Sequence, residues 1–212
     1  GCTLAITNGT NISNNKTGTW YSGGGIWSDS NVNIQGSPVI SNNSALHGGG
    51  LYTKGKTVIN GGEISNNIAT QVGGGICGSD IIIEGRVLID GNQAVIGGGV
   101  SAGCLTGWND TSRNEPATLR LGSGVIVSNN RAISHGSGQT EVKSCGGGIR
   151  AYDVTIDGDA KIINNTSQKH GGGIYVRNNI NMSVGEISGN EAALGGGIFL
   201  FNKGFIQGSP SN

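Results

Sequence analysis

Ile64-Ser65-Asn66-Asn67-Ile68-Ala69-Thr70-Gln71-Val72-Gly73-Gly74-Gly75-Ile76 holds both signals that decide how this chain folds. Its second half is three glycines followed by an aliphatic residue. That element begins at Gly23, Gly48, Gly73, Gly97, Gly146, Gly171 and Gly195, at intervals of 25, 25, 24, 49, 25 and 24 residues. Its first half places a β-branched aliphatic three residues before an Asn. The aliphatics are Ile12, Ile40, Ile64, Ile89, Val127, Ile162 and Ile187, and the Asn residues are Asn15, Asn43, Asn67, Asn92, Asn130, Asn165 and Asn190. Two residues after each Asn stands a small side chain, as in Ala45, Ala69, Ala94, Ala132 and Ala192. Self-similarity at this period marks a repeat architecture whose units bury their apolar faces only by stacking.

Each repeat reads as three short strands. One follows the glycines (Ile174-Tyr175-Val176), a second ends near a Gly (Val32-Asn33-Ile34-Gln35-Gly36), and a third carries the Ile and the Asn. Strands this short find hydrogen-bond partners only in the next repeat, about 4.8 Å away. The predicted fold is therefore all-β: a right-handed single-stranded parallel β-helix (β-solenoid) of about seven coils, one domain over residues 1–212. The seven Asn residues are expected to form a ladder, each amide bonding the same amide one coil away. They are also expected to take the left-handed turn after the third strand. The glycines are expected where no Cβ fits or φ is positive.

Composition excludes several classes. Of 212 residues 42 are Gly, without the every-third period of collagen. Charged residues are 12% and Pro residues number 3, so this is not the composition of a disordered chain. Polarity comes from 24 Asn, 21 Ser and 14 Thr. The formal net charge is zero and no Lys/Arg cluster exists, so no nucleic-acid partner is expected. No apolar run reaches the ~20 residues of a membrane helix, so no membrane insertion by this segment is expected. The four cysteines have no metal spacing and the three His are dispersed; neither metal nor cofactor is expected.

The 49-residue interval is one coil enlarged by two loops, about 104–118 and 135–145. Cys104 opens the first and Cys145 closes the second, which suggests a Cys104–Cys145 disulfide; Cys77–Cys104 is the rival pairing. Trp108 and the sequon at Asn109, a candidate for glycosylation, lie in the first loop. Side chains alternate along a strand. If the aliphatic after each Gly triplet points inward, Trp27, Tyr52, Arg150, Tyr175 and Phe199 point outward, with Tyr152, Arg177 and Phe201 two residues further on. Such a stripe of aromatics stacks on sugar rings, buries against another chain, or stacks on itself under the loops; the sequence leaves all three open.

The pairing of Gly171-Gly172-Gly173-Ile174-Tyr175 with Ile64-Ser65-Asn66-Asn67 and its equivalents resembles the polymorphic outer-membrane protein repeats of bacterial autotransporters and related surface adhesins. Their hallmark is a Gly-Gly-x-aliphatic element joined to an x-x-Asn element. The aromatic residue usual in the family's Asn motif is here Ile or Val. The resemblance implies an adhesive or structural β-helix at the cell surface or outside the cell, meeting surface glycans or other protein chains.

Two alternatives stand beside that expectation. The chain begins and ends in mid-repeat, which suggests a slice of a longer protein or a filament subunit that associates head to tail. Parallel β-helices also host polysaccharide lyases and glycoside hydrolases. Asp153, Asp157 and Asp159 are the densest carboxylates and the candidate catalytic set, although Asp157 and Asp159 also suit an ordinary turn.

Overall fold

The computed structural model describes residues 2–103, 117–134 and 144–201. The described strands all pair in parallel and stack into a β-helix, and among the described residues there is no helix. The strand after each Gly triplet recurs in every turn: Ile26–Ser28, Leu51–Thr53, Ile76–Gly78, Val100–Ala102, the start of Ile149–Ile156, the start of Ile174–Met182, and Ile198–Leu200. Equivalent residues face each other along the axis, so Ile26 pairs with Leu51, Leu51 with Ile76 and Ile76 with Val100. The second layer holds the same kind of register, with Ile34 on Ile59, Ile59 on Ile83 and Ile83 on Leu121. In the third, Ile12, Ile40, Ile64, Ile89, Val127, Ile162 and Ile187 form one column. These layers make a 17-stranded sheet.

The lumen is the core. Ile40, Leu51, Ile59, Ile76, Ile81, Ile83, Ile89 and Ile149 are fully buried there among Val, Ala and Leu from the neighbouring turns. The period of the sequence is thus the pitch of the helix: one residue per turn supplies each position of a continuous aliphatic column. A strand of three residues could bury little by itself.

Besides the three expected strands, each turn has a fourth extended segment. Residues just after the ladder Asn pair into a separate six-stranded sheet, comprising Ser44–His47, Ile68–Val72, Gln93–Ala94, Arg131–Ala132, Thr166–His170 and Glu191–Leu194. Its inward residues are small (Ala45, Ala69, Ala94, Ala132 and Ser167), because the ladder amides already fill the space beside them.

The ladder runs the length of the described chain. The Nδ2 of Asn15, Asn43, Asn67, Asn92, Asn130 and Asn165 each donates to the Oδ1 of the Asn one turn on, at 2.9–3.0 Å. The backbone N–H of the same residue donates to that same oxygen. A second bond from Nδ2 reaches a backbone carbonyl of the preceding turn, as from Asn92 to Ile64 and from Asn130 to Ile89. Asn15 is exposed at the end of the ladder, whereas Asn67, Asn92, Asn130 and Asn165 have no exposed surface.

The expectation that these Asn residues take the left-handed conformation is corrected. That role falls to the residue before each: Asn14, Asn42, Asn66, Asn129 and Asn164 have φ of 54–60°, and Gly91 and Gly189 replace Asn at φ 64° in the other two turns. A ladder amide must stay in register to reach both neighbours, so the bend is displaced one residue upstream. The signal was present, since that position holds only Asn or Gly.

Each glycine of the triplet has its own reason. The first has positive φ in all seven copies, from 60° at Gly48 to 73° at Gly23. A Cβ on the second would collide with the carbonyl of its counterpart one turn away, as for Gly98 against Gly147. A Cβ on the third would press on a ladder amide, at 3.0 Å for Gly99 against Asn130. The two sequence signals are therefore the two sides of one contact.

Candidate functional site

The Gly corner brings two outer columns together. One is the residue before each triplet, where His47, Val72, Ile96, Cys145, His170 and Leu194 are joined turn to turn. The other is the outward residue after the lumenal aliphatic: Trp27, Tyr52, Cys77, Ser101, Arg150, Tyr175 and Phe199, also in register. With no side chains on the glycines between them, the two columns pack against each other. Tyr52, Val72, Cys77 and Ile96 form an apolar cluster of their own outside the lumen.

The outer stripe is therefore interrupted, with some of its residues covered and others open. Tyr52 is 7% exposed and Arg150 5%, while Cys77 and Ser101 are completely buried. Tyr152 is only partly buried but packs toward the lumenal core, because the register shifts between Ala151 and Asp153. Alternation placed these residues outside the lumen but could not show that the Gly corner covers them. Trp27, 52% exposed, remains open at one end, with the Lys54 ammonium 5.7 Å from its ring. At the other end Tyr175 and Phe199 stack with centroids 5.5 Å apart and planes 12° apart. Phe201 lies 6.4 Å from Tyr175, and the His170 ring 4.8 Å from Phe199.

Sequence reasoning missed Trp20 and Tyr21, 73% and 69% exposed. They enter the first corner through a turn in which Tyr21 N–H donates to the Gly18 carbonyl at 3.0 Å. Gly23, two residues on, must lack a side chain, since a Cβ there would lie 2.6 Å from the Cβ of Trp27. Their position three and two residues before a triplet was the available clue.

Arg150 Nη1 donates to the carbonyls of Ala102 at 3.2 Å and Gly103 at 2.6 Å. Gly103 has φ +95°, and a Cβ there would lie 2.8 Å from that nitrogen. Burial pulls the Arg150 pKa down, with Arg177 adding to the effect. Cys145 shares this neighbourhood, and burial pushes its thiol up to about 11 against the pull of Arg150 and Arg177. A thiol held protonated at neutral pH is not an activated nucleophile. Burial likewise raises the Tyr175 hydroxyl to about 12.

The Cys104–Cys145 pairing is corrected as well, because Cys145 is a free thiol and Cys77 is the disulfide-bonded cysteine. Cys145 lies in the column before the triplets, bridged to Ile96 and His170, and not over the strand face. Cys104, Trp108 and Asn109 lie outside the described residues.

The three aspartates make contacts between turns. Asp157 Oδ2 accepts from Arg120 Nε at 2.7 Å, and Arg120 also reaches Glu84 at 3.2 Å, linking three turns. Asp159 accepts from the Gly124 N–H at 2.8 Å. Asp153 accepts from Asn178 Nδ2 and from the Asn179 N–H. This chemistry fastens one coil to the next. Among the described residues no group of three or more His, Cys, Asp or Glu is placed to hold a metal ion.

Comparison with curated proteins and with solved structures returns no match. A family model does match: residues 159–177, which run from the third strand of one turn through its ladder Asn165 to the next Gly triplet, fit the Chlamydia polymorphic membrane protein repeat. With that repeat set in a stack of parallel coils, the chain is a β-helix like those of the polymorphic outer-membrane proteins.

Proposed function

We propose that this β-helix is an adhesive domain displayed at the cell surface, and that it contacts glycans through the aromatic side chains left open at the ends of its Gly corner. The matched repeat belongs to a membrane-protein family, which supports the location. The observation that carries the glycan reading is the first corner, where Trp20, Tyr21 and Trp27 are all more than half exposed and the Lys54 ammonium lies over the Trp27 ring. Large aromatic rings are ordinarily buried, and several of them open to solvent on a regular scaffold mark a contact surface. A flat ring with a polar neighbour suits the apolar face and hydroxyl rim of a sugar.

The test is a panel of neutral glycans against wild type and the double variant Trp20→Ala/Trp27→Ala, read by binding and by Trp fluorescence. Wild type is expected to bind at least one glycan with a change in Trp emission, and the variant to lose both. A wild type that binds none of them, or a variant that binds as wild type does, refutes the reading.

A further inference from the structure

Away from the Gly corner, a notch of about 500 Å³ opens at the bend between the second and third strand layers. Its register explains it. Gln35 pairs with Asn60 and Val39 with Glu63, so Gly36, Ser37 and Pro38 in one turn stand against only Gly61 and Gly62 in the next. The following turn is long again, with Gly85, Arg86 and Val87 before Leu88, the partner of Glu63. The middle turn cuts the corner short and leaves a recess between Pro38 on one side and Arg86 on the other. Gly61 and Gly62 make that short cut at φ of +103° and +106°, backbone that side-chain-bearing residues rarely adopt.

The recess carries opposite charges that do not meet. Glu63 is half-buried, and the Ser65 hydroxyl donates to its Oε1 at 2.6 Å, which fixes the carboxylate and leaves its other oxygen open. Arg86 is exposed. Among the described residues the ion pairs join Arg120 to Glu84 and Asp157, and Lys161 to Glu186, so Arg86 and Glu63 pair neither with each other nor with a third group. Pro38, Leu88 and Asn60 line the same recess, two apolar side chains and an amide. Arg120 shows what this outer surface does with a cation in reach of carboxylates: it ties turns together. The charges at the notch are held apart by the shape of the corner.

We propose that this notch binds a free α-amino acid with an apolar side chain. Its carboxylate lies at the Arg86 guanidinium, its ammonium at the Glu63 carboxylate and its side chain on Pro38 and Leu88. A guanidinium presents paired donors in one plane, which match a carboxylate. A concave site with apolar walls and a few placed polar groups is the usual form of a small-molecule pocket. Both charges are needed to match the notch, and the end of a peptide brings only one of them. This goes beyond the glycan reading and shares no residue with Trp20, Tyr21 or Trp27.

The experiment titrates the full chain with leucine, with N-acetylleucine, which lacks the ammonium, and with leucinamide, which lacks the carboxylate, followed by ligand-observed NMR at millimolar concentration. Wild type is expected to bind leucine at least about tenfold more tightly than either derivative, the loss of one charge-assisted contact. Arg86→Gln is expected to bring leucine down to the level of leucinamide, and Glu63→Gln to the level of N-acetylleucine. Arg131→Gln, an exposed cation on another face, is expected to leave leucine binding unchanged. No saturable binding of leucine overturns the proposal. So does N-acetylleucine binding as tightly as leucine, which would assign the notch to peptide carboxyl ends, or leucine binding that survives in either notch variant. Glycan binding that persists while leucine binding is absent sinks this inference alone.

Discussion

Asn92 has no exposed surface, and its side chain takes part in four hydrogen bonds: two donated, to the Ile64 carbonyl and Asn130 Oδ1, and two accepted, from the backbone and side chain of Asn67. Removing it takes the acceptor from two buried Asn67 donors and leaves Asn130 Oδ1 with only the backbone N–H of residue 92. Each unsatisfied buried group costs roughly 1–3 kcal/mol, so Asn92→Ala should lose about 3 kcal/mol or more, read from urea unfolding. Asn15→Ala, at the exposed end of the same ladder, should lose less than about 1 kcal/mol. Equal losses would mean that the ladder's strength does not come from burial. The position before the ladder obeys a different rule, that of backbone conformation, and sequence reading assigned the left-handed role to the wrong member of each Asn pair.

At the scale of a strand layer, two kinds of column can be compared. The lumenal column through Ile64, Ile89 and Val127 is dry and close-packed. Ile89→Ala should therefore cost about 2–5 kcal/mol and lower the thermal midpoint. The outer ion ladder Glu84–Arg120–Asp157 spans the same distance along the axis, but its side chains are 37–43% exposed. The Asp157 and Glu84 carboxylates hold the Arg120 guanidinium above its ordinary pKa. Water screens such pairs, so Arg120→Gln should lower the midpoint only slightly, and added salt should abolish the difference. A large, salt-independent loss would show that the ion ladder and not the lumen sets the register of these turns.

For the whole molecule, pH dependence enters at the Gly corner. His47 is 8% exposed, its Nδ1 has no hydrogen-bond partner, and burial lowers its pKa below 6.5. The folded protein therefore resists protonating an imidazole that the unfolded chain protonates readily. The stability tied to His47 is complete above pH about 6.5 and is lost as pH falls through the folded value. His47→Val, which copies Val72 one turn on, should flatten this acid limb in unfolding measurements between neutral and mildly acidic pH. An unchanged limb would assign it to other groups. The coil number, the three expected strands of each turn, the lumenal aliphatics and the Asn columns were legible in the sequence, because a stacked fold writes each spatial neighbour at a fixed interval along the chain. What lies between columns was not. That Ile68–Val72 and its equivalents pair into a sheet of their own, that Tyr52 and Arg150 are covered while Trp20 and Tyr21 stand open, and that Cys145 keeps a free thiol are features of the tertiary packing. Periodicity reports what recurs along the axis; the bend between one column and the next is set by packing around it, and only the tertiary structure contains that.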